Sequence, residues 1–180
     1  MPRVKSVFLV STLVLLAFAF GTLVVRGANP ATINVTVTVQ NLSVSATGPI
    51  AFGVVTEAST TVAGDSSLVT NDGNTTETYS LNLANPGGWT AVQAAPGSEE
   101  YCLSAQFNST EPTAVSFTYA DHALSTSSTA CTGTKFAGDE TGVSVATSGE
   151  RHLWFKFEAP SGTTVSTEQT IVVTVTAAAA

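Results

Sequence analysis

Positive charge is scarce in this 180-residue chain. Beyond position 27 only Lys135, Arg151 and Lys156 carry it, while all thirteen acidic residues lie in that same stretch. A balance near −10 repels phosphate backbones and anionic lipid surfaces, so nucleic-acid and membrane-surface partners are not expected. The two histidines, His122 and His152, form no HxH or HExxH pattern and have no paired cysteines beside them, so there is no zinc motif. The nucleophile pattern GxSxG and an EF-hand loop are both missing. After residue 28 no stretch keeps a 3.6-residue apolar period, so no long helix is expected there.

What the chain does have begins at its start. Arg3 and Lys5 precede a charge-free apolar run from Ser6 to Val25, and small residues follow at Gly27 and Ala28. That order matches an export signal over residues 1–27. A run of this length also suits a retained membrane anchor, so both readings stand. The remainder, 28–180, has the size of one domain. It holds two cysteines, Cys102 and Cys131. In an exported domain the expectation is one disulfide between them, clipping down the excursion from 108 to 131.

Threonine, serine, valine and alanine dominate the rest, and their order favours strands over helices. Residues 33–39 alternate strictly, with Ile33, Val35, Val37 and Val39 on one side and Asn34, Thr36 and Thr38 on the other. The phase slips at Gln40–Asn41, and Leu42, Val44 and Ala46 continue it on even numbers. Further strands are expected over 50–55 and on both sides of the Asn71-Asp72-Gly73-Asn74 turn. Tyr79, Leu81 and Leu83 should point to the core. So should Tyr101, Leu103, Ala105 and Phe107, which puts Cys102 on the opposite face. Others are expected at 115–119, 151–158 and 169–176, with Leu153, Phe155, Phe157, Ile171, Val173 and Val175 inward. Residues 120–141 read as loop. About nine short strands separated by turns argue an all-β fold, a single two-sheet antiparallel β-sandwich of immunoglobulin-like or jelly-roll-like type.

The run Thr70-Asn71-Asp72-Gly73, then Tyr79, Leu81 and Leu83, then Pro86-Gly87-Gly88-Trp89 resembles a pattern of bacterial and archaeal secreted immunoglobulin-like domains, the CARDB type of module among them. The resemblance covers about 25 residues. It implies a structural or adhesive role and brings no catalytic residue with it.

Other candidates follow from the residues alone. Trp154 alternates onto the polar face of its strand with His152 and Lys156. It either packs beneath a loop or stands out as a sugar platform or subunit contact. The histidines read as surface residues. Adjacent acids such as Glu99-Glu100 and Asp139-Glu140 diverge on a strand and select no glycosidase pair. Loop oxygens of Asp65, Asn71, Asp72, Asn74, Asp139 and Glu140 suit calcium or ordinary turns equally in type, and the turn reading is the simpler one. No other cofactor is expected. Asn34, Asn41, Asn74 and Asn108 stand in glycosylation sequons.

The expectation is an exported cell-surface structural or adhesive protein, not an enzyme, that self-associates or binds other surface proteins. The alternative is a carbohydrate-binding module using exposed tryptophan, Trp154 or Trp89, and loop carboxylates. Any membrane contact would run through residues 6–25 if the signal stays uncleaved. The segment Ile33–Val39 is also a candidate donor strand. It either pairs inside its own sandwich or adds to the edge of a neighbour's.

Overall fold

The computed structural model describes residues 31–180. The signal or anchor expected over residues 1–27 lies outside the described residues. No described helix is long and apolar enough to cross a membrane. The chain divides into two compact units, one ending at Thr38 and the other running from Val39 to Ala180. Residues 31–38 of the first unit contain no helix or strand.

The second unit is nearly all β, with two sheets packed face to face. Its strands are β1 (Val44–Ala46), β2 (Thr60–Val62), β3 (Ser67–Asn71), β4 (Glu77–Ala84), β5 (Thr90–Ala91), β6 (Glu100–Phe107), β7 (Thr129–Ala130), β8 (Glu150–Glu158) and β9 (Val172–Ala179). The larger sheet runs β1-β3-β8-β6-β5. β2 lies end to end with β3 along one side of β8. The smaller sheet is β7-β4-β9. Pairing is antiparallel except for the two residues of β5 beside β6.

Alternation explains the packing. β4 buries Glu77, Tyr79, Leu81 and Leu83 and leaves the residues between them half-buried. Its three apolar side chains meet Tyr101, Leu103, Ala105 and Phe107 of β6 and Leu153, Phe155 and Phe157 of β8. Aromatic rings fill one end of this core. Phe157 lies 6.0 Å from Tyr101, 6.0 Å from Trp89 and 5.5 Å from Phe52 between ring centres. Ring pairs at such spacings add to the stability that comes from burial alone.

Three expected strands are not formed. Residues 33–39 are unpaired. Residues 50–55 stay irregular because Gly53 takes φ +67, which breaks the extended run. Ile50, Phe52 and Val55 still pack against the core. At 115–119 local hydrogen bonds win over strand pairing. Thr118 Oγ1 accepts from Asp121 N and so caps a one-turn helix, α1 (Tyr119–His122), after a 3-10 turn at Ala114–Ser116. The last strand runs three residues further than the valine pattern suggests. Ala177, Ala178 and Ala179 continue it because Tyr79, Thr78 and Glu77 supply partners.

Candidate assembly surface

β8 would be expected to show its even-numbered side chains to water. Instead both faces are buried from Leu153 to Glu158, because Asn108, Phe117, Tyr119 and Ala137, from the chain that follows β6, lie over them. Trp154 keeps 9% of its surface, and its Nε1–H donates to Asn108 O at 2.8 Å. Lys156 Nζ sits 2.7 Å from Glu158 Oε1 and lies over the rings of Phe117 and Tyr119. Tyr119 OH donates to Glu158 Oε2 at 2.6 Å. That bond, with burial, pushes the Tyr119 hydroxyl up to about 12. Gln106 Nε2 donates to Ala137 O at 3.2 Å. These bonds staple the excursion onto the sheet. Of the candidate contact residues, Trp154 and Lys156 are therefore internal: Trp154 packs beneath the loop, the first of the two placements open to it, and forms no sugar platform. Trp89 is half-buried, with its indole N–H on Thr163 Oγ1 at 2.9 Å. His152 is half-buried and meets Ser66 Oγ at 3.1 Å through Nδ1.

The expected disulfide is corrected. Cys102 and Cys131 are both free and buried. Cys102 points to the covered outer face of the larger sheet, 3.8 Å from Ser104 Oγ. Cys131 belongs to the core cluster between the sheets. The sheet itself separates the two thiols. Burial raises both, Cys131 to about 12. His122 is corrected too, since it is buried rather than on the surface. Its Nδ1 accepts from Thr118 N at 2.9 Å, so Nε2 carries the proton toward Ala137 O at 3.1 Å.

The loop oxygens weighed for calcium are largely engaged as turn acceptors. Asn71 Oδ1 accepts from Gly73 N, and Asp139 accepts from Ser109 N and Oγ, both at 2.6 Å. Those bonds hold the Asp139 carboxyl below the usual range. No three of His, Cys, Asp and Glu gather among the described residues.

Two other surfaces stand out. The first is the segment before β1, where Ile33, Val35, Val37 and Val39 are 84%, 87%, 85% and 76% exposed. Its base is clamped to the β3–β4 turn. Asn74 Nδ2 donates to Val39 O and Asn41 N donates to Asn74 Oδ1, both at 2.8 Å, while Asn74 N donates to Asn41 O at 3.1 Å. Beside them Ser43 N donates to Glu77 Oε1 at 2.8 Å, and Glu77 is fully buried. Gly73 is required here, because a Cβ would lie 2.6 Å from Asn41 O. The sequence shows the turn but not this clamp, whose partners are some 33 residues apart.

The second surface is the outer edge of β9. Among the described residues it pairs only with β4, and Val172 is 56% exposed.

Family models, curated proteins and solved structures gave no significant match to this chain. Function is therefore argued from these two surfaces.

Proposed function

We propose that this chain is an exported structural protein of the cell surface, whose copies join by donation of the strand Ile33–Val39. One observation carries the reading. A seven-residue segment with a strict apolar row stands outside any strand and shows that row to water. Soluble monomers rarely leave such a row uncovered, and exposed apolar patches of this kind mark interaction sites. An extended chain added to a sheet edge gains main-chain hydrogen bonds, and its alternate side chains enter the neighbour's core. A contact of this type joins unlike surfaces, so its repetition builds filaments when the rotation does not close. The burial of Trp154 and Lys156 moves the weight from sugar stacking to strand edges.

The test is assembly of the chain as released from cells. Size-exclusion chromatography with light scattering and electron microscopy should show concentration-dependent polymers. The double substitution Val35→Asp with Val37→Asp should leave the circular dichroism spectrum unchanged and remove the polymers. A parent chain that stays monomeric at high concentration ends the proposal, and so does a double variant that polymerises as the parent does.

A further inference from the structure

Sheet edges are managed differently on the two sides of β4. On one side the 125–145 region closes it. Tyr79 N donates to Gly142 O, Leu83 N to Ser125 O and Cys131 N to Tyr79 O, at 2.8, 2.9 and 2.8 Å. On the other side lies β9, whose outer backbone edge has no partner strand among the described residues. Its inward row shows the consequence. Ile171, Val173, Val175 and Ala177 pack against the core yet remain only half-buried, whereas the inward residues of β4 and β6 are buried. β1, the outer strand of the larger sheet, comes alongside β9, and its Val44 is half-buried as well. The flank between β1 and β9 is therefore an apolar seam that water still reaches. Long open edges of this kind are commonly shortened, charged or covered. β9 is eight residues long and carries no charge.

We propose that this seam is the acceptor: residues Ile33–Val39 of a second copy add to the outer edge of β9 as a fourth strand of the smaller sheet. The inference rests on the strand-donation reading and adds where the strand goes.

Three features fit donor to acceptor. The first is pattern. Val35–Val39 reads Val-Thr-Val-Thr-Val, and 173–177 reads Val-Thr-Val-Thr-Ala. Side by side, the valines of both strands face the core and the threonines of both face water. Threonines opposite one another across a strand pair stabilise it. A one-residue slip would turn every valine outward, so the pattern sets the register in steps of two. The second is charge. Neither 31–43 nor 170–180 contains a charged residue, so no ion is stripped of water on pairing. The third is supply and demand of apolar surface. The donor row is exposed in its own copy, and the β9 row is half-exposed in its own copy. Docking between copies covers both. It also gives the contact a direction, since the donor segment and the β9 edge are different surfaces.

Disulfide trapping in the full chain tests this. One preparation carries Thr36→Cys. A second, labelled with a heavy isotope, carries Thr174→Cys or Thr176→Cys, and a third carries Ser45→Cys on β1. All four positions are exposed. Cys102 and Cys131 are buried and stay out of the reaction. Mixtures are assembled, mildly oxidised and mapped by mass. The expected result is a link between differently labelled chains from 36 to 174 or 176, at least about tenfold above any link to 45. Polymers in which position 36 links to 45 and not to β9 overturn the acceptor and leave strand donation standing. Absence of polymers in the parent overturns both. A link confined to one chain, in a dilute doubly substituted protein, shows that the strand folds back on its own β9 and also overturns the proposal. Hydrogen exchange on the unsubstituted chain gives a second readout. Amides of 33–39 and of β9 should gain protection together on assembly, and β9 amides unchanged in polymers would overturn the acceptor.

Discussion

Lys156 is a buried ammonium whose stability depends on a carboxylate two residues along the same strand. Glu158 takes the lysine on one oxygen and Tyr119 OH on the other. Removing one member leaves the other desolvated without compensation. We expect Glu158→Gln to cost about 3–5 kcal/mol in urea unfolding. The pair replacement Lys156→Met with Glu158→Leu should cost much less, because no charge is left buried. The thiols lead to a second prediction at this scale. Both are buried and raised, so little thiolate exists near neutral pH. Iodoacetamide should label neither cysteine in the native chain and both after denaturation, read by mass. A linked Cys102–Cys131 peptide pair would contradict the structure.

β8 shows why an element can be read correctly and still be misjudged. Its period of two puts Leu153, Phe155 and Phe157 inward, where the core cluster has them. Phe155→Ala should therefore cost roughly 3–5 kcal/mol, as large-to-small changes at buried aromatics do. Chemical denaturation measures it, and a loss below about 1 kcal/mol would mean that the side chain is not core. The other row, Trp154, Lys156 and Glu158, is what a half-exposed strand would show to water. Asn108, Phe117, Tyr119 and Ala137 from the chain after β6 bury it, and no local pattern announces that cover. α1 makes the same point in reverse. Val115, Phe117 and Tyr119 alternate like a strand, but the cap between Thr118 and Asp121 turns the backbone into a short helix.

For the whole molecule, pH reports on the packing. All three tyrosines, Tyr79, Tyr101 and Tyr119, have hydroxyls raised from 10.0 to about 12. Burial is the main cause for Tyr79 and Tyr101, and the bond to Glu158 for Tyr119. A group raised in the folded state contributes stability fully below its unfolded value. That contribution is lost as pH climbs toward the folded value. Stability should therefore fall between pH 10 and about 12. Tyrosinate absorbance should stay low up to about pH 10.5 and then rise together with unfolding. Three tyrosines titrating freely near 10 with the fold intact would contradict this. Because the cysteines are free, a reducing agent should leave the melting temperature unchanged.

The sequence by itself determined the fold class, most inward rows and the shortage of ionic chemistry, because these follow from a two-residue period and from composition. It also marked Ile33–Val39 as a strand without assigning it a partner. Tertiary structure alone decided the rest. Cys102 and Cys131 are kept apart because a sheet lies between them, and sequence spacing cannot say which side of a sheet a returning loop will reach. His122, Trp154 and Lys156 are internal because the excursion closes over β6 and β8. The apolar row of residues 33–39 and the half-covered row of β9 stand out as a matching pair only once burial is known. Alternation shows which side chains share a face, and only packing shows which faces are left uncovered.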